Sequence, residues 1–202
     1  MRRRDRCTRP GAALAYADTM STEPRAGRPK VSSRETIAEA ACELFLEQGY
    51  ERTTVAEIAL RAGVGRSSFF NYFGSKADVL WGGFDERADA ACAELAAGAD
   101  VRETLRGIAV GFAPDSLALA ITHAGAMGMT DGLVAERALR QARLGRAITA
   151  KLVADGHPDL PAEIRAAAAA AALFAAVWAW AAAPGRTDFP AVLEEALGYV
   201  PG

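Results

Sequence analysis

The chain has 202 residues, 51% of them hydrophobic, which is enough apolar material to bury a real core in one or two compact domains. An overall charge of −2 runs against a uniformly basic chain, but the charge is unevenly placed: residues 1–30 hold eight Arg and Lys against three acids, a surplus of +5, and the remainder carries −7. Three cysteines (Cys7, Cys42, Cys92) without CxxC spacing exclude a disulfide framework and fit a reducing compartment, and two histidines (His123, His157) do not make a metal site by themselves.

Residues 1–27 read as a basic arm of disordered composition, able to add non-specific attraction to phosphate. The Arg-rich opening before Ala-Ala-Leu-Ala-Tyr-Ala imitates a secretory leader, but the apolar run is short and interrupted, and Asp18 and Glu23 follow. The competing reading starts translation at Met20, giving MSTEPRAGRPK; mass spectrometry of the native N-terminal peptide separates the two.

A first helix opens at Ser32 or Ser33, either of which can cap it, and stops at Gly49. Its buried face is Ile37, Ala41, Leu44, Phe45 and the methylenes of Gln48. Glu35, Glu39, Glu43 and Glu47 form an acidic ladder at i+4 spacing on another face, which reads as solvated and turned away from any polyanion.

The stretch Thr53–Lys76 has the most specific pattern. Thr54 and Glu57 form a capping box, and Val55, Ile58, Ala59 and Ala62 recur at the spacing of one helical face. Gly63 permits a sharp reversal and Val64 anchors it. A second short helix then turns Phe69, Phe70 and Phe73 inward and leaves Arg66, Ser67, Ser68 and Asn71 outside. Two short helices around a tight turn, the second presenting polar side chains, is the geometry that enters a DNA major groove. An ordinary helical hairpin within a bundle is the blander alternative.

The run from Gly27 to Leu80 resembles the N-terminal DNA-binding domain of the TetR family of bacterial regulators. The shared features fall in order: a Gly-Arg-Pro lead-in, the helix ending at Gly49, Thr53-Thr54, Ile58-Ala59 then Ala62-Gly63-Val64, the aromatic cluster, and Ser75-Lys76 opening a fourth helix. Gly65 stands where the family usually has Ser, and Phe70 where it usually has Tyr. The hydroxyls that cap the recognition helix and touch a phosphate in the family are therefore missing here, and Tyr72 is the residue to replace the phosphate contact. The resemblance implies base-edge or nearby contacts from Arg66, Ser67, Ser68 and Asn71, and backbone contacts from Thr53, Thr54, Tyr72 and Lys76. Trp81-Gly82-Gly83-Phe84, together with the preceding motifs, also resembles the actinobacterial branch that includes mycofactocin-system regulators.

The fourth helix starts with a second capping box, Ser75 to Asp78, and buries Leu80, Phe84, Ala88, Ala91 and Leu95. Lys76 at its N-terminus suits a phosphate oxygen. Two adjacent glycines cost roughly 1 kcal/mol each against alanine inside a helix, so Gly82 and Gly83 mark close packing or a flexible point.

From Val101 the signal is entirely helical, with helices expected near 101–111, 115–127, 131–154, 161–183 and 189–198. The fold class is all-α: residues 28–80 a three-helix helix-turn-helix domain, residues 81–202 a helical ligand-binding and dimerisation domain. The resemblance implies a pocket walled by the fifth to seventh helices, with Phe112, Leu117, Leu119, Ile121, Met127 and Met129 as candidate lining residues and His123 as a polar handle; ordinary core is the alternative at each. Arg137, Arg140, Arg143 and Arg146 recur every three residues, a spacing that winds them about half-way round a helix. They read as solvated, or alternatively as an anion site for the phosphates of an acyl-CoA.

Ala166–Ala183 has no charged side chain and thirteen alanines in 18 residues, the length threshold of a membrane span. A helix apolar all round must be covered all round, which implies a partner subunit. Leu173, Phe174, Val177, Trp178, Trp180 and, on the last helix, Val192 are the expected two-fold interface. No nucleophile–base pair, metal cluster or phosphate loop is present, so neither an enzyme nor a cofactor is expected. The expectation is a cytoplasmic homodimeric regulator, most simply a repressor, that holds a palindromic duplex and lets go when a small apolar effector, an acyl-CoA among the candidates, fills the cavity. A membrane-associated or purely structural helical protein without DNA binding is the alternative.

Overall fold

The computed structural model describes residues 33–113, 115–183, 185 and 188–201. The basic arm, the alternative start at Met20 and the Ser32 cap lie outside the described residues. Nine α-helices and no strand are found among the described residues: α1 (Ser33–Gln48), α2 (Val55–Arg61), α3 (Arg66–Tyr72), α4 (Asp78–Ala96), α5 (Val101–Ala109), α6 (Ser116–Thr122), α7 (Thr130–Ala154), α8 (Asp159–Ala181) and α9 (Phe189–Leu197).

α1 buries Ile37, Ala41, Leu44 and Phe45, as its spacing requires. Gly49 ends it at φ +88°, a conformation that costs a residue with a Cβ. The acidic ladder on α1 is not wholly a solvated face: Arg61 at the end of α2 bridges Glu43 (3.3 Å) and Glu47 (2.8 Å) and ties the first two helices together.

α4 is packed against α1, α5, α6, α7 and α8, and its glycines explain two of these contacts. A Cβ on Gly82 would stand 2.6 Å from the Arg34 guanidinium, which pairs with Glu86 and lies over the Phe73 ring. A Cβ on Gly83 would stand 2.9 Å from Asp115 Oδ2 at the start of α6. The pair therefore marks close packing. From α7, Arg140 grips Asp85 at 2.7 and 2.8 Å while stacking over Trp81, and Arg143 pairs with Asp89. Arg87 of α4 donates to the carbonyls of Ile108, Val110 and Gly111 at the end of α5, satisfying acceptors that a helix terminus leaves open.

The core beyond α4 is a chain of rings. Trp81, Phe84 and Phe174 meet near the middle, and Phe112, Trp180 and Phe189 continue it with centroids 5.4–5.6 Å apart. α6 is shorter than its expected span of 115–127. It closes at Thr122, and the following residues form turns that use Gly128 at φ +66°. The described residues pack as one compact unit.

Candidate nucleic-acid interface and ligand cleft

Local chemistry builds the α2–α3 unit. The Thr54 hydroxyl accepts from Glu57 N–H, and the Glu57 carboxylate accepts from Thr54 N–H at 2.8 Å, closing the expected capping box. Gly63 takes φ +68° between the helices, and Val64 N–H donates to Ala59 O at 2.9 Å. Ile58, Ala59, Phe69 and Phe73 are buried and hold the two helices on α1 and α4. Arg66, Ser67, Asn71 and Tyr72 are exposed along α3, with Ser68 half-buried at their edge. Gly65 supplies no side-chain cap to α3, the consequence expected of its missing hydroxyl. Phe70 departs from expectation: it is 48% exposed, and the Arg66 guanidinium lies over it at 5.9 Å from the ring centroid. On a helix of seven residues, Phe69 and Phe73 share the inner face and Phe70 is rotated off it.

Two expected phosphate contacts are committed elsewhere. Thr53 is 1% exposed, and its hydroxyl lies 2.8 Å from Gly49 O and 3.3 Å from Leu44 O, so its side chain closes the end of α1 instead of facing outward. The Lys76 ammonium donates to Tyr50 O at 2.6 Å and Thr53 O at 3.0 Å, and sits 4.1 Å from the Tyr50 ring centroid. Lys76 thus clamps the α1–α2 loop to the start of α4. That loop touches the turn after α6 directly, because Tyr50 N–H donates to Met127 O at 2.8 Å. The capping box expected at Ser75 forms its forward bond, Asp78 N–H to Ser75 Oγ at 3.3 Å.

A cleft of about 380 Å³ opens between α6 and α8, lined by Asp115, Ala118, Leu119, Thr122, His123, Trp180, Ala181 and Gly185. Leu119 and His123 line it as expected. Phe112, Met127 and Met129 do not: Phe112 is locked among Phe84, Trp180 and Phe189, and both methionines are buried in the core. Asp115 was legible in the sequence only as a helix cap. It does cap α6, accepting from Leu117 and Ala118 N–H, but it also lines the cleft, and burial raises its carboxyl pKa above the ordinary value.

Residues 37–80 match the model for bacterial regulatory proteins of the tetR family. That segment carries a TetR-family DNA-binding domain. Over 65 residues it is 37% identical to MftR of Mycobacterium tuberculosis, named for transcriptional regulation of mycofactocin biosynthesis, and over 48 residues 46% identical to the HTH-type regulator HbdR of Aromatoleum. Those matches take in 32% and 24% of this chain but span only 33% and 21% of the relatives' lengths. Among solved structures, FadR of Thermus thermophilus, a TetR-family repressor in complex with lauroyl-CoA, is 29% identical with a TM-score of 0.50, covering 83% of this chain and 92% of that one. NalD of Pseudomonas aeruginosa, at 20% identity and a TM-score of 0.54 over 82% of this chain and 93% of its own, shares the fold.

The helix expected to join two TetR-family subunits is divided differently from its sequence reading. Leu173, Phe174, Val177 and Trp180 are buried inside one chain, so they pack its core and leave almost no surface for a partner. Trp178 and Val192 keep accessible surface, Trp178 beneath the Arg137 guanidinium. The outer face of α8 is instead Leu160, Ile164, Ala167, Ala171, Ala175 and Ala179, with Leu160 67% and Ile164 56% exposed. α8 is long and apolar enough to cross a membrane, yet half of its most apolar window is buried in the fold. The four regularly spaced arginines do not converge on an anion site, since Arg140 and Arg143 are engaged by carboxylates of α4 and Arg137 lies on Trp178.

Proposed function

We propose that this chain is a cytoplasmic, homodimeric, ligand-responsive regulator of the TetR family that holds a palindromic DNA operator, most simply as a repressor, and is not an enzyme. One observation carries the reading: α3 leaves Arg66, Ser67 and Asn71 exposed in a row, while Phe69 and Phe73 fix its opposite side in the core. Arg66, Ser67, Ser68 and Asn71 read base edges or adjacent phosphates; Thr54 and Tyr72 hold the backbone. Thr53 and Lys76 support them by fixing the loop on which the unit stands.

Dimerisation through α8 and α9 rests on the uncovered stripe Leu160–Ile164–Ala167–Ala171–Ala175–Ala179 and on Tyr199, 82% exposed, at the end of α9. Small residues at this spacing let two helices approach closely, and a long apolar face left in water is the usual mark of an interface. Two copies place two reading helices on successive turns of one duplex face.

The effector enters the α6–α8 cleft. A ligand against His123 bears on the turn that carries Met127 O, and through Tyr50 and Lys76 on the loop beneath α2; against Asp115 it bears on α4 at Gly83. An acyl-CoA is suggested by the lauroyl-CoA bound to Thermus thermophilus FadR, but the dispersed arginines give its phosphates no cluster here, and the kept reading is a small apolar molecule. Selection on randomised duplex DNA, followed by gel shifts across a salt series, tests the proposal. A two-fold symmetric motif bound with steep salt dependence is the expected result, and recovery of no enriched duplex refutes it.

A further inference from the structure

We propose that the α6–α8 cleft takes an apolar ligand bearing a protonated amine, with Asp115 as its counter-charge. This rests on the effector reading above and specifies its chemistry. Among the described lining residues the one formally charged side chain is a carboxylate, and the walls around it are Ala118, Leu119, Ala181 and the Trp180 ring. Among the described residues no ion pair reaches Asp115; Arg87 acts on it only at a distance.

A second polar wall group is also an acceptor. The Thr122 hydroxyl has its proton committed to main-chain carbonyls, Ala118 O at 2.8 Å and Ala181 O at 3.2 Å, so it offers the cleft lone pairs only. A cleft with a surplus of acceptors is satisfied by a donor, and a half-desolvated carboxylate by a cation. Burial raises the pKa of Asp115 even with the main-chain N–H groups of α6 donating to it, and an ammonium beside it favours the ionised form. Trp180 also lines the cleft, and an indole ring attracts a nearby cation. An anionic head group would instead meet the carboxylate, with only the His123 ring and the Trp180 indole N–H as donors among these side chains. The volume, about 380 Å³, falls within the range of small-molecule sites, about 300–1,000 Å³.

The test uses the full chain and three matched probes, 4-phenylbutylamine, 4-phenylbutanol and 4-phenylbutanoate, titrated calorimetrically. The amine is expected to bind at least about tenfold more tightly than the acid, the ratio that one charge-assisted contact supplies. Asp115→Asn keeps an N-cap acceptor for α6 and removes the charge, and should level the three probes. Leu119→Trp fills the cleft without touching Asp115 and should abolish amine binding. Equal or tighter binding of the acid overturns the proposal. So does an amine preference that survives either substitution, or binding of none of the probes. Gel shifts on the selected operator are run in parallel. Intact DNA binding without amine preference sinks this inference alone, whereas absent DNA binding sinks the regulator reading and leaves the cleft chemistry to the titrations.

Discussion

Lys76→Met separates two roles for one lysine. As a phosphate contact, Lys76 would contribute to DNA affinity and little to folding. In the structure its ammonium donates at 2.6 and 3.0 Å to two carbonyls and lies 4.1 Å from an aromatic centroid. Hydrogen bonds from a charged group contribute about 1.5–3 kcal/mol each, and a partly exposed cation–π contact about 0.5–1 kcal/mol. Lys76 is half-buried, and water can reach part of what the substitution uncovers. The expected net loss is therefore nearer 2 kcal/mol than the sum, or about 4–8 °C in Tm for a chain of this size. Thermal melts followed by circular dichroism measure it. The salt dependence of operator binding supplies the contrast, because loss of one phosphate contact lowers the slope of log K against log salt by about 0.9. An unchanged Tm together with a slope reduced by that amount would refute the clamp and restore the phosphate role.

Thr54→Ala removes the hydroxyl half of the capping box and should cost about 1 kcal/mol, read as a lowered melting temperature with an unchanged fold. Gly82→Leu forces a branched side chain against Arg34 and Phe73 and should destabilise by about 1–3 kcal/mol. Gly82→Ala should be neutral or mildly stabilising, since the roughly 1 kcal/mol gained in helix propensity offsets an exposed Arg34–Glu86 pair of about 0–1 kcal/mol. Arg66→Ala and Asn71→Ala should relax base preference by about 1–3 kcal/mol at single operator positions, measured by competition with base-substituted duplexes. Stability should fall on acidification below about pH 4. Arg61 holds the Glu47 carboxyl below its ordinary range, the Thr54 hydroxyl and N–H hold Glu57, and Arg106 holds Glu194, and protonating them removes those contacts. Asp115 has the opposite sign: burial raises its pKa, so the stability it gains on protonation develops as pH falls through that raised value and is complete below the ordinary carboxyl range, and Asp115→Asn should remove that pH dependence. Ile164→Asp on the outer face of α8 should shift a dimer to monomer by sedimentation and weaken operator binding with it.

What the sequence by itself determined is what lies close along the chain. The Thr54–Glu57 box, the reversal at Gly63 and the buried spacing of Ile58, Ala59 and Phe69 involve neighbours within a few turns, so residue order is enough to place the two short helices and the exposed row on the second. The extents of α7 and α8 were legible for the same reason, being bounded by local breakers. Only the tertiary structure decided how the long apolar helix is shared between inside and outside. A segment greasy on every side has no periodicity to mark its faces, so nothing local told Leu173 and Phe174, which fill the core, from Ala171 and Ala175, which do not. Lys76 turning to the carbonyls of Tyr50 and Thr53, Arg140 closing on Asp85, and Asp115 joining a helix cap to a cleft wall each depend on partners 23 to 55 positions away, or on a different helix altogether. Side-chain charge and size name what such a residue is able to do; which partner it meets is set when the chain closes on itself.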